Sequence, residues 1–454
     1  MNPEIFKAYD IRGVYPKDID EDSAFKIGRG LVAFLEGKNP GKKTIILGKD
    51  NRISSPALFK SFKEGVKKEG ADVIDIGLTT TPMFYFASNY FKADGGAMIT
   101  ASHNPKEYNG FKVIKENSVN IGKDEGMEEL AEIVKAEKFS EGKEKGKEKK
   151  EEILSKYLKF NFSFLRKDKI SPLKIVIDTA NATSSPLIDY FKKEFNQIEF
   201  YHLFPELDGN FPNHEPDPII SENLKELIRE VREKKADFGL AFDGDADRIV
   251  FVDEKGNNID GDLITALLSK IILQEEKGAK ILADISSSKI VEDTVKENGG
   301  KFYLSRTGHS YIKPMMAENN IYFAGEKSGH YYLGKNHNFE TPLFVLFKII
   351  EELSKEKTSL SEIISSFKKY VNSGEINFEI KDRESALREI ENYFNSKNYK
   401  ISKIDGIKAE GKDFWCLVRP SNTEPLLRTI VEAESKEVIT REVEEIKKIL
   451  SNFS

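Results

Sequence analysis

Phe238-Gly239-Leu240-Ala241-Phe242-Asp243-Gly244-Asp245-Ala246-Asp247-Arg248-Ile249-Val250-Phe251-Val252-Asp253 is the stretch on which the reading of this chain turns. Two apolar runs of strand character flank a polar turn with carboxylates at alternate positions. In an extended turn, Asp243, Asp245 and Asp247 can converge on one cation, and all-oxygen ligation favours Mg²⁺, Mn²⁺ or Ca²⁺. Without a cation, three carboxylates so close would repel. An EF-hand is excluded although Glu254 stands at its twelfth place. Arg248 occupies the position of the required glycine, and strands replace the flanking helices. The plain alternative is an acidic turn between strands.

Outward from this turn, the first half of the chain alternates short apolar runs with amphipathic helical patterns, which reads as α/β. Thr44 to Gly48, Ala71 to Gly77 and Gly96 to Thr100 are expected strands, separated by helices near Ser23–Leu35 and Pro56–Lys68. The Lys/Glu-rich tract from about Ala136 to Glu152 reads as a solvated helix face or linker. Strands are expected again at Leu173–Asp178, near Ile281–Ile285 and at Ile321–Ala324. From about Tyr370 a strand, a helix, three further strand-like runs and a closing helix at Lys436–Leu450 suggest an α+β domain. Expected domains are therefore 1–150, 151–253, 254–369 and 370–454.

Three other turns share the layout of a strand running into polar residues, and ligands gather at the carboxyl ends of strands in open α/β sheets. Thr100-Ala101-Ser102-His103-Asn104-Pro105 offers a serine hydroxyl on an exposed turn, with Lys112 on a neighbouring strand. No G-x-S-x-G elbow surrounds Ser102, which disfavours a serine hydrolase. Gly325-Glu326-Lys327-Ser328-Gly329-His330 carries groups suited to sugar hydroxyls, or is a short hairpin turn. Arg419-Pro420-Ser421-Asn422-Thr423-Glu424-Pro425 is dense in donors for a dianionic phosphate, or is a Pro-bounded turn. Gly37 to Thr44 is one residue short of a P-loop, and Gly28-Arg29-Gly30 lies inside a helical pattern; both read as structural.

Composition bounds the rest. A net charge of −6 over 454 residues supports no general attraction to nucleic acid or to an anionic membrane. The single cysteine, Cys416, excludes a disulfide framework or a cysteine-rich zinc site. The start lacks a signal-peptide layout and no apolar run spans a bilayer, so a cytoplasmic address is expected.

With these motifs in this order, the chain resembles the α-D-phosphohexomutases, closest to the phosphomannomutase/phosphoglucomutase group. Ala8-Tyr9-Asp10-Ile11-Arg12-Gly13, Gly77-Leu78-Thr79-Thr80-Thr81-Pro82 and Thr307-Gly308-His309-Ser310 extend the likeness over essentially the whole chain. The resemblance implies three related α/β domains with mixed sheets and a C-terminal α+β domain around a central cleft. It implies interconversion of hexose 1-phosphate and hexose 6-phosphate, of mannose or glucose, through a phosphoserine and a hexose 1,6-bisphosphate. Ser102 would carry the phosphoryl group and, with Asp243, Asp245 and Asp247, hold Mg²⁺. Arg12, Lys112 and His330 match positions that assist catalysis. Arg248, His309, Glu326 and Ser328 would meet the sugar, and Arg419, Ser421, Asn422 and Thr423 the non-reacting phosphate.

Alternatives are a phosphoglucosamine mutase, a catalytically silent sugar-phosphate binder and a metal-dependent phosphatase. Hexose phosphates are the expected partners, and a monomer or weak homodimer the expected state. Three departures bear on substrate preference. Ser286 stands where relatives commonly carry lysine, with Lys289 a candidate substitute. Asp178 to Ala182 lacks the usual glycines, and Lys327 replaces a more familiar Met or Gln.

Overall fold

The computed structural model describes residues 2–139, 142, 144–421 and 426–453. The chain forms two compact units, Met1–Ile259 with His330–Ser361 and Asp260–Gly329 with Glu362–Ser454. Among the described residues, no helix is long and apolar enough to cross a membrane.

The first unit holds two α/β layers. The first sheet runs Ile11–Val14, Tyr108–Lys115, Gly95–Ile99, Thr44–Lys49, Asp72–Leu78, Glu148–Lys150. Gly95–Ile99 pairs parallel with Thr44–Lys49 and antiparallel with Tyr108–Lys115, so the sheet is mixed. The helix Glu21–Lys38 starts at a reciprocal cap: Ser23 N–H donates to Asp20 Oδ1, and Asp20 N–H to Ser23 Oγ, both at 2.8 Å. Its Ile27, Leu31 and Phe34 step onto the core face shared with Phe62 and Phe111. Gly28 belongs to that packing, because a Cβ there would stand 2.3 Å from the Phe62 carbonyl oxygen.

The tract expected as a linker ends in a strand. Glu148–Lys150 adds in parallel to Asp72–Leu78, with Val73 N–H donating to the Lys147 carbonyl and Glu151 N–H to that of Asp75. Its three exposed, charged residues show no apolar alternation, which hid the strand from pattern reading. Charge on an edge strand also blunts pairing with other chains.

The second sheet runs Asn258–Ile259, Ile249–Asp253, Phe238–Phe242, Leu173–Asp178, Ile198–Leu203. Phe238–Phe242 is parallel to Leu173–Asp178 and antiparallel to Ile249–Asp253, so residues 243–248 form the loop of a hairpin at the carboxyl end of a parallel strand. The hairpin Tyr331–Leu333 with Phe339–Glu340 and the helix Pro342–Glu356 complete this unit.

In the second unit, Lys280–Asp284 pairs parallel with Lys301–Ser305 and with Phe323–Gly325, beside the helices Gly261–Glu275, Lys289–Glu297 and His309–Asn319. The C-terminal part is an antiparallel sheet of Val371–Asn372, Leu426–Ala433, Phe414–Pro420, Ile407–Glu410 and Lys400–Ser402. Ile376–Glu379 also pairs with Leu426–Ala433. The helices Arg383–Ser396 and Lys436–Leu450 close its core through Ile390, Phe394, Ile446 and Leu450. The expected α/β class with mixed sheets, ending in an α+β domain, is what the chain adopts.

Candidate active site

Strand register sets the serine against the acidic turn within the first unit. Gly95–Ile99 delivers Thr100 and Ser102 to its carboxyl end, and Ser102 Oγ donates to Asp243 Oδ2 at 2.8 Å. Gly244 permits this approach: a Cβ there would meet the Ser102 carbonyl oxygen at 2.4 Å. Ser102 is left-handed, with φ of 51°. That conformation costs a non-glycine residue about 1–2 kcal/mol and persists only where its surroundings impose it. Part of the constraint is the Ser102 N–H bond to Thr100 Oγ1, at 2.9 Å.

Asp243, Asp245 and Asp247 are all buried and offer oxygens within 4.8 Å of one another. Lys112, on the neighbouring strand and opposite Met98 in register, donates to Asp245 Oδ2 at 2.7 Å and also to Asp247 Oδ2. Thr81 N–H donates to the Asp245 carbonyl at 2.9 Å and its hydroxyl to Asp245 Oδ2. Thr183 Oγ1 donates to the Gly244 carbonyl at 2.7 Å. Asp245 Oδ1 is buried with no donor among the described residues. Hard oxygen donors, mutual proximity and an unsatisfied buried carboxylate oxygen fit a divalent cation.

Burial and its neighbours Asp247 and Asp245 hold the Asp243 carboxyl well above the usual carboxylate range. Burial would raise Asp247 too, but Lys112 and His330 outweigh it and hold Asp247 well below. Lys112 goes the other way from an ordinary buried lysine. Desolvation pushes it down, yet Asp245 and Asp247 prevail and keep it well above its ordinary value. It is a fixed cation here and no ready base.

Arg12, on Ile11–Val14, pairs with Asp10 and donates from Nη1 to Asn104 Oδ1 at 2.5 Å. Its Nε is buried without a partner among the described residues, a donor in place for an anion. His330 bridges to Arg248, and its Nε2 lies 3.2 Å from Asp247 Oδ1 and 3.3 Å from Arg248 Nε. Arg248 N–H donates to Asp243 Oδ1 at 3.1 Å. His103 Nδ1 is 3.2 Å from Ser102 Oγ, and burial, with Arg248 and Arg12 nearby, holds this imidazole well below its ordinary pKa. The first unit thus brings together Ser102, the three aspartates, Lys112, Arg12, Arg248 and His330.

The second unit holds the other expected residues among those described. Glu326 is buried and its Oε2 accepts from Gly308 N–H at 2.8 Å, which ties the 326–329 turn to the start of the His309 helix. Gly261 lets that turn close, since a Cβ would meet the Lys327 carbonyl oxygen at 2.6 Å. Ser286 donates to Asp284 Oδ2 at 2.7 Å, and Lys289 N–H donates to Glu432 Oε1 at 2.9 Å. Arg419 lies 3.7 Å from Asp405 and 3.8 Å from Glu375, and its Nε is buried without a partner among the described residues. Ser421 N–H donates to the Leu426 carbonyl. Asn422 and Thr423 lie outside the described residues.

Arg52 was not anticipated. It is fully buried behind the serine loop and donates to the carbonyls of Ser102, Asn104, Pro105 and Tyr108. A signal was present, since Lys49-Asp50-Asn51-Arg52 is one more polar turn at the carboxyl end of a parallel strand.

Four family models match in chain order. They are described as "Phosphoglucomutase/phosphomannomutase, alpha/beta/alpha domain I" over residues 3–141, domain II over 152–256, domain III over 260–370, and the C-terminal domain over 375–449. A phosphomannomutase of Methanocaldococcus jannaschii is 41% identical over 99% of this chain and 98% of its own length. The chain belongs to the phosphoglucomutase/phosphomannomutase family. A second family member, a phosphomannomutase of Vibrio cholerae, is 38% identical with the same coverage. A crystal structure of a phosphoglucomutase/phosphomannomutase family protein from Burkholderia thailandensis superposes with a TM-score of 0.91. It is 29% identical, over 100% of this chain and 98% of that one. Members of the family thus share the full length of this chain and not only its motifs.

Proposed function

We infer that the chain is an intramolecular phosphotransferase, a phosphohexomutase that interconverts the 1- and 6-phosphates of mannose or glucose. The observation that carries it is the 2.8 Å contact of Ser102 Oγ with Asp243 inside a buried acidic trio neutralised by Lys112.

Phosphorylated Ser102 donates its phosphoryl group to the free hydroxyl of a hexose monophosphate. The hydroxyl oxygen forms the new P–O bond, the Ser102 Oγ–P bond breaks, and hexose 1,6-bisphosphate results. The opposite phosphate then returns to Ser102. Such transfer needs charge neutralisation more than covalent help. Asp243, Asp245, Asp247 and phosphorylated Ser102 would hold Mg²⁺, which when bound neutralises charge on the phosphoryl oxygens. Arg12, always protonated, stabilises the same charge. Lys112, held charged by two carboxylates, acts electrostatically. His330 is assigned the exchange of the substrate hydroxyl's proton, as the imidazole acid–base group of the site.

Arg248, His309, Glu326 and Ser328 are assigned to sugar recognition, and Arg419, Ser421, Asn422 and Thr423 to the non-reacting phosphate. The domain divisions 1–150, 151–253, 254–369 and 370–454, a cytoplasmic address and a monomer or weak homodimer complete the proposal.

Ser102→Ala tests it. The variant should lose conversion of glucose 1-phosphate and mannose 1-phosphate. Intact-mass spectrometry should find a phosphoryl adduct on the wild type alone after incubation with a hexose 1,6-bisphosphate. Full activity in the variant would refute the assignment. Release of free phosphate at a rate rivalling isomerisation would point to a phosphatase.

A further inference from the structure

We propose that Arg52 is a positioning residue for phosphoryl transfer, holding Ser102 and Arg12 in register from behind the serine loop. The proposal rests on the role given to Ser102 above.

A guanidinium has five N–H donors in a rigid planar fork. In Arg52 all five are used. Nε donates to Asp50 Oδ2 at 3.1 Å. Nη1 donates to the Pro105 carbonyl at 2.7 Å and that of Tyr108 at 3.2 Å. Nη2 donates to the Ser102 carbonyl at 2.7 Å and that of Asn104 at 2.6 Å. None remains for substrate, so Arg52 acts only through the loop.

Two parts of the site hang on that loop. The bond to the Ser102 carbonyl fixes the left-handed residue whose Oγ meets Asp243. The bond to the Asn104 carbonyl fixes the backbone from which Asn104 Oδ1 accepts from Arg12. Arg52 is itself anchored. Asp50 Oδ1 accepts its N–H at 3.0 Å, Asp50 N–H donates to the Ile99 carbonyl at 2.9 Å, and the Phe211 ring centroid lies 5.2 Å from the guanidinium carbon. The fork therefore transmits the position of one parallel strand's end to the next strand's loop.

Geometry decides which substitutions can replace it. Glutamine keeps two donors and no charge. Lysine keeps the charge opposite Asp50 but has three donors on one atom, which cannot span four carbonyls set in two pairs.

The test compares Arg52→Gln and Arg52→Lys with the wild type and with Ser102→Ala, all as full chains with Mg²⁺ and bisphosphate activator. Misplacing a reacting group by about 1 Å costs ~10²-fold. The expected result is kcat lower by about 10²-fold in Arg52→Gln and less in Arg52→Lys, with KM for glucose 1-phosphate within about twofold and circular dichroism unchanged. A merely structural residue would lower the amount of active protein without that ordered kcat series. Folded variants with wild-type kcat overturn the proposal, and so does loss of the folded state in both, which would make Arg52 a structural residue. The serine control separates the two readings. If Ser102→Ala is inactive while Arg52→Gln is fully active, the positioning role alone falls; if Ser102→Ala is active, the serine assignment falls first.

Discussion

Gly244→Ala probes the closest approach in the candidate site. The added Cβ would stand 2.4 Å from the Ser102 carbonyl oxygen and 3.3 Å from both the Ser102 carbonyl carbon and Pro216 Cγ, where ordinary contact begins at 3.4 Å. The oxygen is backbone and cannot rotate away, and Arg52 also holds it, at 2.7 Å. The serine loop and the aspartate loop must therefore separate by about 1 Å, a displacement that can cost ~10²-fold in rate. This corresponds to about 2.7 kcal/mol in activation free energy. The assay is conversion of glucose 1-phosphate to glucose 6-phosphate by a coupled dehydrogenase, with Mg²⁺ and bisphosphate activator, on protein of verified circular dichroism. Gly239→Ala is the comparison. Its Cβ would meet only side-chain carbons, Val231 Cγ2 at 2.5 Å and Leu227 Cδ1 at 2.8 Å, away from the serine. It should cost roughly 1–3 kcal/mol of stability by overpacking, with kcat per folded molecule kept. A folded Gly244→Ala protein with kcat within about threefold of wild type would refute the reasoning.

The acidic trio should couple cation binding to stability: Mg²⁺ at a hundred times its Kd should stabilise the fold by about 2.7 kcal/mol. Asp245→Asn should abolish both the Mg²⁺-induced rise in melting temperature and turnover, and an unchanged rise would remove Asp245 from the ligand set. Acid should weaken the fold through His202, which burial depresses to a pKa of about 4 and whose Nε2 lies 2.8 Å from Thr179 Oγ1. The unfolded chain takes up this proton near pH 6.5 and the folded chain only near 4, so stability is full above 6.5 and declines through that window. With partial exposure discounted, the loss is of order 1–2 kcal/mol. His202→Gln should flatten the fall in apparent melting temperature between pH 7 and 4.5, and an unchanged fall would assign it to other groups.

The α/β class and the strand-to-turn settings of Ser102 and the aspartate triad were legible because each is written locally. An apolar run gives the strand, and the residues after it give the chemistry. Arg52 was legible only in part: its polar turn at a strand end is written in the sequence, but its role is not. Its partners are main-chain carbonyls from 102 to 108, and a carbonyl leaves no mark in a sequence. The direction of the Lys112 shift was hidden too. A lysine in a phosphate enzyme invites cationic neighbours, whereas folding supplied Asp245 and Asp247.

Asp178 to Ala182 shows how far absence of a residue type can mislead. The expected glycines are missing, yet Ala180 and Asn181 take φ values of 48° and 57°, the left-handed conformation that glycine would favour. Ala180 N–H donates to Asp178 Oδ1 at 2.8 Å, and Asn181 Nδ2 to the Glu206 carbonyl at 2.9 Å. Side-chain bonds thus impose what glycine would have allowed. The turn keeps its shape by side-chain hydrogen bonds, and it does so one strand away from the aspartate loop, where Asn213 Nδ2 also donates to Asn181 Oδ1. Conformation at a strand end is therefore set by whichever chemistry can hold it, and a missing glycine does not by itself change the turn.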